Sequence, residues 1–237
     1  ITSVSLNEHI TVLPDGLFEG CLNLGIVLNS NIIELGKSVF EDCHHLSTFP
    51  EHVKSFGKNC FKNCRSITSV SLNEHITVLP DGLFEGCTNL LSIDSQNKLN
   101  IGKRCFKNCE NLENFDIYNL HVIPAEAFSN CKKLKKVRLL AKTISIESRA
   151  FYNCRNLTDI NLPDTVEVIK KEAFRNCSSI KTITIPANLK LFGIAAFAYM
   201  DSLKSINVSP FNKTFSTPDN KILINDKQQK MVLYAYG

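Results

Sequence analysis

The sequence predicts an α/β repeat solenoid of about nine coils, and three features in step with one another carry that prediction. Nine phenylalanines, Phe18, Phe40, Phe61, Phe84, Phe106, Phe128, Phe151, Phe174 and Phe197, recur every 21 to 23 residues. Apolar rows flank them at fixed offsets. A small or turn-forming residue often stands between rows. A period of this length is too long for one helix or strand and too short for a domain, so each interval is one coil whose apolar side is buried only by its neighbours.

The elements of a coil follow in order. Five residues before each Phe lies an apolar row, Leu13, Leu35, Phe56, Leu79, Ile101, Ile123, Ile146, Ile169 and Phe192. The next residue is often Gly36, Gly57, Gly102 or Gly193, which reach backbone angles closed to other residues, or Pro14, Pro80 or Pro124, which fix theirs. A bend is expected there. The residue before each Phe, the Phe itself and the Cys three later (Cys21, Cys43, Cys64, Cys87, Cys109, Cys131, Cys154, Cys177, with Met200 in the ninth) fall at helical spacing, so a short helical turn is expected. Leu or Ile always stands six after the Phe. Nine after it come Val27, Phe49, Val70, Ile93, Phe115, Val137, Ile160, Ile183 and Ile206, types that favour an extended strand.

One coil, from Leu157 to Ile180, reads LTDINLPDTVEVIKKEAFRNCSSI. It resembles the BspA-like class of leucine-rich repeat at Leu157, Ile160, Leu162, Pro163, Val166, Ile169, Ala173, Phe174, Cys177 and Ile180. The repeats cover residues 1–203. Looser units run from Leu24 to Leu46 and from Leu90 to Leu112, where Asn29, Ser95 and Lys98 replace apolar residues. The resemblance implies a right-handed superhelix with a concave parallel β-sheet and short helical turns opposite. It implies no catalytic residues, and a role in surface adhesion and recognition.

Residues 204–237 leave the pattern and read as a final strand and a β-hairpin cap, with KILIN and KMVLYAYG flanking the polar turn DKQQ. At the other end the first residue is Ile within a strand motif, so the chain reads as an excerpt. Ile1, Val4, Leu6 and Phe18 are then candidates to face solvent or a second copy, and a dimer through this edge is a possibility the sequence leaves open. Residues 1–21 recur unchanged at 67–87. Recent duplication of a repeat block accounts for that better than paired docking sites do, and His9 and His75 are then copies of one surface residue.

Composition narrows the function classes. The chain is 43% hydrophobic and 21% charged, and no apolar run is long enough to span a bilayer, so membrane insertion is not expected. Its net charge of +4 forms no dense basic stripe with interleaved aromatics, so no nucleic-acid partner is expected. Eight of the ten cysteines keep the repeat period and read as a buried row of free thiols. Cys60 and Cys105, each in CFKNC, have no nearby His or second Cys pair to complete a zinc site, so neither metal nor cofactor is expected. The sequons at Asn156, Asn176, Asn207 and Asn212 would suit a secreted protein, although Asn176 shares its place with other turn asparagines. No nucleophile with a base, paired carboxylates or phosphate loop assembles, so no enzyme is expected.

The strand face remains. Residues eight and ten after each Phe should point away from the core, and most are small and polar. Two patches stand out. Asp94, Asp116 and Tyr118 lie beside Lys136 and Arg138, then Asp159, a mixed-charge group around an aromatic that suits a protein ligand such as an extracellular matrix or host surface protein. Ile26 and Leu28 form an apolar pair where other strands are polar, a contact site or a misregistered coil. The function expected is protein–protein recognition in a cell-surface adhesion protein. An intracellular scaffold or a regulatory repeat domain of a larger protein is the alternative.

Overall fold

A computed structural model describes residues 2–95, 97–117, 120–139 and 141–235, in two compact units, 1–113 and 114–237. In the first unit the strands are β1 (Val12–Leu13), β2 (Glu34–Leu35), β3 (Ser55–Phe56), β4 (Ser69–Leu72), β5 (Val78–Leu79), β6 (Ser92–Ser95) and β7 (Asn100–Ile101). The two-residue strands pair in parallel as β1–β2–β3 and β5–β7, and the four-residue strands as β4–β6. The second unit holds β8 (Asn114–Ile117), β9 (Val122–Ile123), β10 (Lys136–Leu139), β11 (Ser145–Ile146), β12 (Asp159–Asn161), β13 (Val168–Ile169), β14 (Thr182–Ile185), β15 (Leu191–Phe192) and β16 (Ser205–Val208). Its short strands join as β9–β11–β13–β15 and its longer ones as β8–β10–β12 and β14–β16, again parallel. Each unit is therefore a parallel-strand β-solenoid.

The expected apolar rows set the register. Ile123, Ile146, Ile169 and Phe192 face one another across the short strands, and Phe115, Val137 and Ile160 across the longer ones. The phenylalanines stack ring on ring at 5.6–6.0 Å from Phe18 to Phe106, and at 5.0–5.4 Å from Phe128 to Phe197. Coil spacing of about 4.8 Å favours this face-to-face arrangement of equivalent rings, while strand-row phenylalanines meet the stack at steeper angles, as Phe56 does Phe61 and Phe115 does Phe128.

The third side of the coil is where the sequence reading needs correction. Among the described residues there is no helix, and the expected helical turn is an arc of consecutive tight turns. The cause lies in the residues two before and two after each Phe, which take left-handed backbone angles in all nine coils: Gly16 and Gly20, Ser38 and Asp42, through Glu172 and Asn176 to Ala195 and Tyr199. A left-handed residue every fourth position stops a right-handed helix from propagating. The amides it frees point along the stack instead. Phe151 donates its N–H to the Ala173 carbonyl and Phe174 to Ala196, both at 2.8 Å, and the left-handed residues on either side do the same, Asn153 to Arg175 and Asn176 to Ala198.

Cysteine completes this arc. The N–H of Cys43 closes a turn on the Phe40 carbonyl at 3.1 Å, while its thiol donates to the Phe18 carbonyl of the coil before, also at 3.1 Å. Cys64, Cys87, Cys154 and Cys177 repeat the thiol contact. All ten cysteines are free thiols and all but Cys21 are buried. Burial pushes the Cys43 thiol up to about 12 and raises Cys64 and Cys87 as well, so the row remains protonated and able to donate.

The bend glycines serve close approach rather than unusual angles. A Cβ on Gly57 would overlap the backbone of Gly36 and Lys37, one coil away. The second coil holds a further correction. Val27, expected inside, is 84% exposed, and Ile26 and Leu28, expected outside, are buried, so the strand face is shifted by one residue there. Phe18, expected to face solvent or a second copy, is also buried, against Phe40. Ile1 lies outside the described residues, and Val4 and Leu6 are half-buried.

After β16 the chain forms an antiparallel sheet of β17 (Phe215–Ser216), β18 (Ile222–Asn225) and β19 (Lys230–Tyr234). Phe215 and Leu223 are buried, with the Phe215 ring 6.0 Å from Phe192 of the last short strand.

Two variants test this account. Phe151→Ala empties a position stacked on both sides and is expected to cost about 3–5 kcal/mol in a denaturant titration. Gly86→Ala places a side chain at φ +75°, where it would also overlap the Asn63 side chain. A loss of at least about 1–2 kcal/mol is expected from the left-handed angle alone.

Candidate functional site

The strand face of the second unit carries most of the expected patch. On β10, Val137 and Leu139 turn into the core while Lys136 and Arg138 stand exposed, as period-two alternation requires. Parallel register sets their neighbours. Lys136 lies opposite Asn114 and Asp159, and Arg138 opposite Asp116 and Asn161. Asp116 and Asp159 are exposed too, so four of the six expected residues share one surface. A shallow depression of about 550 Å³ opens beside Lys136, Arg138, Asp159 and Asn161, with Thr182 and Thr184 on its border. Asp94 is exposed on β6 of the first unit, opposite Ser71, and is described apart from the others. Tyr118 lies outside the described residues.

Opposite charges in this patch stand on neighbouring strands. Among the described residues, Lys136, Arg138 and Asp159 make no ion pair within 4 Å. Several charges elsewhere in the unit are paired. Glu172 receives Arg149 at 2.6 Å and Arg175 at 2.9 Å, and Lys170 reaches Glu147 at 2.8 Å. The Arg149 hydrogen bond, aided by the charges of Arg149 and Arg175, holds the Glu172 carboxyl below the usual glutamate range, with partial burial working the other way. Glu172 needs that support because it sits at a left-handed position, with φ 56°.

The other expected features sort by the same geometry. The apolar pair Ile26 and Leu28 is no surface patch, since the register shift buries it. Asn176 takes a left-handed angle and donates its amide to Asn153 at 2.7 Å, and Asn212 donates to the Pro186 carbonyl at 2.7 Å, so both sequons have structural work. Asn156 and Asn207 are exposed. Among the described residues no three His, Cys, Asp or Glu side chains gather where a metal ion could be held. No helix among the described residues is long and apolar enough to cross a membrane. Sequence reasoning missed the left-handed rhythm, although Asn63, Asn108, Asn130, Asn153 and Asn176, each two after its Phe, together with the Gly residues of coils one and four, signal it.

Comparison with known proteins agrees with this architecture. The family model for the BspA type leucine rich repeat region matches residues 1–113 and 99–219, in 6 copies. A leucine-rich repeat protein from Bacteroides ovatus is similar in structure, with 28% identity and a TM-score of 0.72 over 86% of this chain. This chain spans 60% of that protein's length. The pneumococcal vaccine antigen PcpA shares the fold, with 16% identity and a TM-score of 0.52 over 89% of this chain and 62% of its own. No curated protein matches the sequence at a significant level.

Paired and unpaired charges should respond differently to change. Because the Glu172 carboxyl titrates lower in the folded chain than in the unfolded one, its contribution is present above the unfolded value and lost as pH falls through the folded one. The thermal midpoint of Glu172→Gln should therefore fall less between pH 5 and pH 3 than that of the parent chain, with both limits chosen on the order of the usual carboxylate values. Lys136→Glu with Arg138→Glu should leave the unfolding free energy at neutral pH within about 0.5 kcal/mol of the parent in a denaturant titration, as expected for exposed unpaired side chains.

Proposed function

We propose that this chain, which belongs to the BspA-type leucine-rich repeat family, is a non-enzymatic protein-recognition module of a surface-displayed adhesion protein and that it binds through the strand face of β8, β10, β12 and β14. The observation that carries this reading is the contrast in the charges of the second unit. Glu172 and Glu147 are held by Arg and Lys partners, whereas Lys136, Arg138 and Asp159 border an open depression with no ion pair of their own. Charges left unpaired on a rigid sheet can meet opposite charges on a partner without first breaking contacts at home, and they speed the encounter.

The neighbours suit a macromolecule more than a small ligand. Asn161, Thr182 and Thr184 are short, so a partner can approach the sheet closely. The depression is shallow and lacks the enclosing apolar walls on which small-molecule sites rely. Asp116 adds a negative group opposite Arg138, so a partner with both charge signs in matching order is favoured over a uniformly acidic one. Residues 1–203 serve as the recognition solenoid and 204–237 as its cap. Display on a cell surface is part of the proposal and draws on PcpA, a vaccine antigen that shares the fold. Association of two copies through the first coil, where Leu17 and Leu22 are exposed, is a separate element that sedimentation tests.

The deciding experiment is capture of extracellular matrix proteins and of cytosolic extract by the intact chain and by the Lys136→Glu, Arg138→Glu variant. Capture of a matrix protein that the variant loses supports adhesion through this face. Capture from cytosol alone favours the intracellular scaffold, and equal capture by both forms rules this face out.

A further inference from the structure

Two main-chain ladders run through the second unit with opposite sense, and they end differently. Parallel strands exchange bonds in both directions, but at the entry to the short strands each coil donates to the one before it: Glu167 N–H to the Ile144 carbonyl, and Lys190 N–H to Glu167, at 2.8 and 2.9 Å. The C-terminal segment continues that series, with Ser209 N–H on the Ile185 carbonyl at 2.9 Å and the Asn212 amide on Pro186. On the arc each coil donates to the one after it. Glu172, Phe174 and Asn176 give their N–H groups to Ile194, Ala196 and Ala198.

The equivalent donors of the last coil are Ala195, Phe197 and Tyr199. Among the described residues, none of these three N–H groups has an acceptor. They border a depression of about 650 Å³, and β19 forms its far wall through Met231 to Tyr234. Apolar side chains dominate this lining. Arg175 and Asp201 also line it, with the Arg175 guanidinium 4.7 Å from the centre of the Tyr199 ring, yet Tyr199 remains 63% exposed and Met231 58% exposed. The C-terminal sheet thus closes the strand side of the last coil and leaves the arc side open.

We infer that this open end of the arc is a docking site for an extended, apolar segment of a protein partner, which lays its carbonyls on Ala195, Phe197 and Tyr199 and its side chains between Tyr199 and Met231. The chemistry of the occupant follows from the donors. Three main-chain N–H groups on alternate residues call for acceptors at the same repeat, which an extended polypeptide supplies and a single anion does not. The apolar part of the lining, Met231 to Leu233 with Ala195 to Ala198, calls for apolar side chains. Inside the unit the same three donors bond carbonyls on alternate residues of the next arc, Ile194, Ala196 and Ala198, so a partner with carbonyls at that repeat takes the place of a further arc. This is strand-type augmentation at the end of a stack, and it does not depend on the charged strand face.

Amide exchange followed by NMR, combined with selection of linear peptides from a phage-displayed library on the intact chain, tests the inference. In the free chain the amides of Ala195, Phe197 and Tyr199 should exchange at least about a hundredfold faster than those of Phe151 and Phe174, which are bonded. Selected peptides should be apolar and should slow the three amides by about tenfold or more. They should lose binding to Met231→Arg and to Tyr199→Ala, two changes at exposed positions, while still binding the Lys136→Glu, Arg138→Glu variant. Protection of the three amides in the free chain would overturn the inference, as would failure to select any peptide or equal binding by both wall variants. Concentration-dependent self-association that protects the same amides would replace the partner with a second copy and overturn it too.

Discussion

The structure depends on the direction in which the arc amides point. In a helix the N–H of each Phe would bond within its own turn. Here left-handed residues on both sides turn it along the stack, so within each unit main-chain bonds hold an arc to its neighbour. The phenylalanine stack, the buried thiols and the close pass at Gly57 all follow. Rings stand about one coil spacing apart because the amides beside them fix that spacing, and a thiol fits where a small weak donor must reach the Phe carbonyl of the coil before.

This constraint explains why the coil tolerates such varied residues at strained positions. Arg104, Glu126, Arg149 and Glu172 all adopt left-handed angles that glycine takes more easily. Each such placement costs about 1–2 kcal/mol, and the neighbouring coils offset it. For Glu172 the compensation is visible in two arginines that converge on its carboxylate, one from the preceding coil and one from its own.

Much of this was legible in the sequence, and the exceptions have physical causes. Spacing identified the Phe stack, both apolar strand rows and the buried cysteines, because burial by identical neighbours leaves a strict period. It misread the arc, since a Phe, the residue before it and a Cys three later suit a helix and a chain of tight turns equally well. Only the backbone angles two residues away decide between them. The second coil escaped because register is set by neighbours as well as by pattern. The repeated 21-residue segment shows this directly: Val70 and Leu72 are buried in β4, paired with β6, whereas the identical Val4 and Leu6 stay half-buried beside the shifted coil. Of the charged patch, alternation along the strand placed Lys136, Arg138, Asp116 and Asp159 together. That three of them lack ion partners depends on side-chain reach, which spacing does not encode.

The opposed senses of the two ladders bear on how such a chain can change length. Within a unit an interior coil gives hydrogen bonds forward along its arc and backward at the entry to its short strand, exchanges them both ways along its strands, and receives them in the complementary places. A whole coil spliced between two others finds every donor and acceptor already waiting, and its removal lets the flanking coils meet directly. Gaining or losing one residue is absorbed only between the longer strand and the next short one, where coils of 21 to 23 residues already differ. Growth by complete units is nearly neutral to folding, and an unaltered 21-residue copy three coils downstream is the kind of change this architecture absorbs with least disturbance.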